Sequence, residues 1–204
     1  YRYRARLSVR NVHKKNMVLV GFHEKKSRYV ANMESCEILP PHVSKMLMPL
    51  RDLISSLTLI EALPQIELAI GEGITALVLR IMQPLGDGDE QKLKAFADTH
   101  QVQWWLQAAG PDSATPFYPL PADQTTNLFY TLPEFGIKMP FKPTDFTQVN
   151  HHINRVLVAR ALRLLDVQKD ERILDLFCGL GNFTLPIATL AKEVVGIEGS
   201  SSLT

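Results

Sequence analysis

Cysteine is scarce in this sequence. Of 204 residues, Cys36 and Cys178 are the two thiols, too few for a disulfide framework and in keeping with a reducing compartment, so a cytoplasmic location is expected. Long apolar runs are missing as well. Nothing approaches the roughly 20 consecutive apolar residues that cross a bilayer, and the opening YRYRARLSVR lacks the apolar centre of a secretory signal, so no membrane partner is expected. Acidic residues are nearly absent from the first 30 positions, where Glu24 stands alone against nine Lys or Arg; that stretch carries about +8 and the remainder about −7. The net charge of +1 conceals this asymmetry, which points to a polyanionic partner. Internal repeats and low-complexity segments are also lacking. The first residue is not Met and both ends fall against strand-like segments, so the sequence reads as a fragment of a longer chain.

With 46% apolar residues the chain can bury a substantial core. YRYRARLSVR alternates with period two, which predicts a strand with Tyr1, Tyr3, Ala5, Leu7 and Val9 on one face and Arg2, Arg4, Arg6, Ser8 and Arg10 on the other. NVHKKN and HEKKSR read as turns around a returning strand MVLVGF, with YVANM as a third strand. From Pro40 to Ala62 the apolar spacing predicts a helix that Pro49 interrupts or kinks. QIELAI and ITALVLRIM form a hairpin, GDGDEQKLKAFADTH a helix capped by its acids, and VQWWLQ a strand with one Trp inward and one outward. AAGPDSATPFYPLPADQ reads as a proline-rich loop, and NLFYTL and IKMPF as a further hairpin. At FTQVN the character changes. Asn150 caps a helix whose stripe Ile153, Val156, Leu157, Ala161, Leu164 and Leu165 is expected to pack, followed by RILDLFC and EVVGIE as fully buried parallel strands around a helix FTLPIATLA.

The turn GLGN between strand and helix brings backbone N–H groups and a helix N-terminus to a ligand. A dinucleotide fingerprint needs a third glycine, and Thr184 stands there instead. Asp175 and Glu198 at consecutive strand ends suit a nucleoside whose ribose hydroxyls need an acceptor. S-adenosylmethionine and NAD both meet that description. Asp87, Asp89 and Glu90 lack the spacing of a calcium loop, and His151 and His152 point apart on a helix and cannot share a metal.

DLFCGLGNFTLPIA, with DFTQVN upstream, resembles the RNA uracil-5-methyltransferases, and YRYRARLSV, MESCEILPP and VVGIEGS bring the likeness closer to the iron–sulfur-containing branch that acts on 23S rRNA. The resemblance implies an α+β central RNA-binding domain over residues 1–144, then at 145–204 the truncated start of an α/β Rossmann-like methyltransferase domain. It implies S-adenosyl-L-methionine as cofactor, with Gln148 at its methionine part, Phe177 and Asn182 in the glycine turn, and Glu198 at the ribose. Cys36 matches the last of four cysteines that hold a [4Fe-4S] cluster, the others lying upstream of Tyr1. The nucleophilic cysteine and the base of this family lie downstream of Thr204, so Cys178 is not the nucleophile and no catalytic residue is expected in these residues. The intact protein is implied to be a monomer acting on 23S rRNA, with Arg2, Arg4, Arg6, Lys14 and Lys15 at the RNA. A tRNA-directed relative, an NAD-dependent oxidoreductase and a non-enzymatic RNA-binding module are the alternatives.

Overall fold

Residues 1–120, 128–200 and 203 are described in a computed structural model of the chain. Its centre is a mixed six-stranded sheet built from β1 (Arg4–Val12), β2 (Met17–Gly21), β3 (Gln65–Ile70), β4 (Thr75–Arg80), β5 (Val102–Gln107) and β6 (Ala114–Tyr118), in the order β2-β1-β3-β4-β5-β6. All neighbours are antiparallel except β4 and β5, which run parallel because α2 (Asp87–His100) carries the chain across between them. The alternation read in β1 holds: Ala5, Leu7 and Val9 are buried on one face while Arg4, Arg6 and Arg10 share the other. Asn16 takes a left-handed backbone (φ 45°) to close the β1–β2 hairpin. YVANM, expected as a strand, forms only an isolated bridge between His23 and Val30.

One face of the sheet is covered by α1 (Pro41–Ser56) and α2 around Leu7, Ile66, Leu77 and Trp104. Pro49 lies inside α1 without ending it. The other face carries Ala69, Ala76, Val78 and Trp105, packed under the hairpin β7 (Phe129–Leu132) and β8 (Ile137–Pro140) and under α3 (His151–Leu165). Both tryptophans are therefore buried, on opposite faces, because the face expected to be outward has a layer of its own. Part of the expected proline-rich loop is the edge strand β6, where Pro116 is tolerated; residues 121–124 of that stretch, and residue 127 of NLFYTL, lie outside the described residues.

Asp89 does not cap α2. Its buried carboxylate accepts from the Thr58 N–H (3.0 Å), the Thr58 hydroxyl (2.7 Å) and the Leu59 N–H (3.3 Å), pinning the chain that leaves α1. Burial pushes its carboxyl upward, but these three donors outweigh it and leave the pKa below the usual value.

Beyond α3 the chain forms β9 (Arg172–Leu176), α4 (Thr184–Ala188) and β10 (Glu193–Ile197), a parallel βαβ unit with Ile173 opposite Val194 and Leu174 opposite Val195. Ile173 and Val194 pack inward, whereas Leu174, Leu176, Val195 and Ile197 are about half exposed. The two strands are thus not fully buried, contrary to expectation. Such strands are buried on both faces only where layers cover both, and α4 covers one.

Candidate cofactor site and arginine face

The strand β9 delivers the chain into the glycine turn, where Phe177 (φ 61°), Gly179 (φ 55°) and Gly181 (φ 90°) all adopt left-handed backbone. That geometry folds the turn back over the β10 end: Cys178 N–H donates to the Ile197 carbonyl (3.1 Å), and Gly179 N–H donates to Glu198 Oε2 (2.9 Å). Ser200 N–H donates to the second carboxylate oxygen at 2.9 Å. These backbone donors, Ser200 first, hold the Glu198 carboxyl below its usual pKa, so it is an anion at neutral pH.

A cavity of about 260 Å³ opens over the turn, and Gln148, Phe177, Asn182 and Glu198 all line it. The structure thus gathers into one site four residues spread over fifty positions of the sequence. Phe177 stands at its mouth, 89% exposed. Asp175, weighed as a ribose acceptor, instead accepts from the Thr184 hydroxyl at 2.6 Å and ties β9 to α4.

Asn182 is held by two residues that sequence reasoning passed over. Tyr130 O–H donates to Asn182 Oδ1 (2.9 Å), and Asn154 exchanges a reciprocal amide pair with it at 2.8 and 2.9 Å. Both partners are buried, and burial drives the Tyr130 phenol up to about 12. The signal for Tyr130 was its place on the inward face of the alternating NLFYTL. Asn154 gave none, being a polar residue in the first turn of an otherwise ordinary helix. The carbonyl of Asn182 is thereby committed to the fold, leaving one amide hydrogen to face the cavity.

The arginine face begins beside this site. Arg2, Arg4 and Arg6 line a groove with Phe146 and Thr147, residues that also line the cavity. Arg6 is not a free cation: its Nη2 lies 2.9 Å from Glu67 Oε1 and its Nε donates to the same oxygen at 3.1 Å. Arg4 is partly buried, which lowers its pKa against the opposing pull of Glu67 and Asp145. Among the described residues, Arg4 Nη1 and Arg2 Nε are buried donors without a partner. Lys14 and Lys15 sit exposed at the hairpin tip.

The family model described as tRNA (Uracil-5-)-methyltransferase matches residues 1–203. This chain belongs to that family. It is 68% identical over all 204 residues to the 23S rRNA (uracil(1939)-C(5))-methyltransferase RlmD of Cupriavidus pinatubonensis and to that of Burkholderia cenocepacia, spanning 43% of the length of each. The Pyrococcus abyssi tRNA (uracil-54, C5)-methyltransferase, solved in complex with S-adenosyl-L-homocysteine, shares the fold with a TM-score of 0.68 at 17% identity, over 99% of this chain and 50% of its own. As a uracil-5-methyltransferase family member the chain has two cysteines to account for. Cys178 lies at the edge of the cavity, and its thiol packs against Gly196, where an added Cβ would lie 2.9 Å from the sulfur. Cys36 is half-buried against the main core, and its N–H donates to the Ser44 hydroxyl at 2.8 Å. Among the described residues no three His, Cys, Asp or Glu side chains converge as a metal site, and no helix is long and apolar enough to cross a membrane.

Proposed function

We propose that this chain is the RNA-binding part and the first cofactor-binding part of an S-adenosylmethionine-dependent 23S rRNA uracil-5-methyltransferase. The observation that carries this reading is the single cavity lined by Gln148, Phe177, Asn182 and Glu198 in a member of this family. The 68% identity to 23S rRNA enzymes favours that substrate over tRNA. Residues 1–144 supply the RNA-binding part and 145–204 the start of the methyltransferase domain, and the intact protein works in the cytoplasm as a monomer.

In this site Glu198 accepts the ribose hydroxyls of the cofactor. Its oxygens accept the Gly179 and Ser200 N–H groups, and a carboxylate has about four acceptor sites in all. Gln148 reaches the methionine end and Phe177 shields the mouth. Bound there, S-adenosylmethionine supplies an electrophilic methyl group. The methyl group would pass to C5 of a flipped-out uracil as its bond to the sulfonium sulfur breaks and S-adenosylhomocysteine leaves, with a cysteine thiolate outside these residues adding to C6 beforehand and being expelled when a base removes the C5 proton. The chain alone does not methylate. Cys36 would contribute one thiolate to a [4Fe-4S] cluster. The residues present do not suffice for that cluster, which takes four thiolates, and the other ligands would come from outside these residues.

Calorimetric titration of the chain with S-adenosylhomocysteine and with NAD checks the reading. Weak binding of the first, none of the second, and loss of the signal in Glu198→Ala are expected. NAD binding as strong as that of S-adenosylhomocysteine, or a Glu198→Ala variant that binds normally, would refute it.

A further inference from the structure

The arginine face does not end at the groove beside the cofactor cavity. Along β1, Arg4, Arg6 and Arg10 share one side of the strand, and Arg10 lies directly opposite Leu19 of β2. Leu19 is buried, as is Val30, yet neither belongs to either core of the molecule. Their burial is local. They form, with Val12, the floor of a second open cavity of about 390 Å³, whose walls are Arg10, Arg28 and Tyr29. Tyr29 is 66% exposed. Its backbone is nevertheless fixed: its carbonyl accepts from Glu24 N–H (2.9 Å), its N–H donates to Ser27 Oγ (3.0 Å), and Val30 bridges to His23. An exposed aromatic ring on a fixed backbone, beside an apolar floor and two guanidinium groups, is suited to stack a flat, uncharged ring attached to an anion.

We propose that this cavity receives one unpaired RNA nucleotide, its base stacked on Tyr29 and its phosphates met by Arg10 and Arg28. The inference rests on the proposed RNA substrate, and it adds a base-stacking site to what would otherwise be a track of phosphate contacts. Charge complementarity selects the occupant, since the surrounding 30 residues carry about +8. The exposed ring selects a single strand, because a base inside a duplex presents no face to stack upon.

Fluorescence anisotropy of the chain with a short labelled single-stranded RNA of mixed sequence, and with the matching duplex, tests this. Tyr29→Ala should weaken single-strand binding about 5- to 100-fold, as expected for one stacked base, with no change on the duplex and an unaltered salt slope. Tyr29→Phe should keep the wild-type affinity. Arg10→Ala and Arg28→Ala should each flatten the log–log salt dependence by about 0.7. Circular dichroism verifies that each variant is folded. A Tyr29→Ala variant that binds the single strand as the unaltered chain does, or that loses duplex binding equally, would overturn the pocket alone. An unaltered chain that binds neither RNA would overturn the RNA reading together with it.

Discussion

His151 lies between two tyrosine rings, with centroid separations of 4.5 Å to Tyr3 and 5.2 Å to Tyr130. It thus joins the first residues of the chain to the hairpin that holds Asn182. Burial, helped by the nearby Arg155 cation, lowers its pKa from 6.5 to about 4. The unfolded chain therefore binds a proton between these values that the folded chain refuses, and stability should fall as pH drops from about 6.5 to about 4. The loss attributable to this group is at most about 3 kcal/mol. Urea denaturation at pH 7 and pH 5 should show the loss, and His151→Phe, which keeps a ring between the tyrosines, should flatten it. An added Cβ at Gly196 would meet Cys178 Sγ at 2.9 Å and Thr184 Cγ2 at 3.3 Å, so Gly196→Ala should cost about 1–3 kcal/mol. Cys178→Ala in the same chain should recover part of that cost, a coupling that a double-mutant cycle on denaturation midpoints measures.

At the scale of elements, α3 shows how periodicity can identify a helix and assign the wrong face. Its cap is as read: the Asn150 side chain accepts from Ile153 N–H at 3.1 Å. The stripe expected to pack is instead largely outward, with Ile153, Val156, Leu157, Leu164 and Leu165 all between 49% and 77% exposed. The buried face is His151, Asn154, Val158, Ala159 and Leu162. Two of these are polar and could be buried because specific partners await them, the tyrosine rings for His151 and Asn182 for Asn154. No count of apolar residues reveals such partners. The half-exposed leucines of β9 belong to the same picture, for their outer face lacks a covering layer among the described residues. Leu157→Gln with Leu164→Gln should therefore leave the denaturation midpoint nearly unchanged, within about 0.5 kcal/mol, while lowering the fluorescence of an apolar dye bound to the chain. A large destabilisation would mean that this face is packed in solution.

At the scale of the whole molecule the charge is segregated, and the sheet face that bears the arginines runs from the cavity over the glycine turn towards the β1–β2 hairpin. The cations along it are not equivalent. Arg6 is already neutralised by Glu67, whereas Lys14 and Lys15 are exposed at the hairpin tip. Replacing Lys14 and Lys15 by Ala should lower affinity for RNA of any sequence and flatten its salt dependence by up to about 0.7 per lost phosphate contact. Arg6→Ala should change the slope less. Binding isotherms at several potassium chloride concentrations distinguish the two outcomes.

The sequence by itself determined the order and type of most elements, because period-two alternation in β1, β3 and β7 and helical spacing in α1 and α2 reflect local geometry that each segment carries alone. It marked the glycine turn too, since Gly179 and Gly181 favour the left-handed backbone found there. Tertiary structure decided what local pattern does not encode. A strand can be solvated on one face or buried on both, and only the arrival of β7, β8 and α3 over the central sheet made Trp105 a core residue. An acid in the first turn of a helix can cap that helix or anchor another, and only the approach of Thr58 gave Asp89 the second task. The cavity itself is of this kind: Gln148, Phe177, Asn182 and Glu198 meet because three separate backbone excursions end at one place, and contacts between segments distant in sequence leave no periodic trace in any one of them.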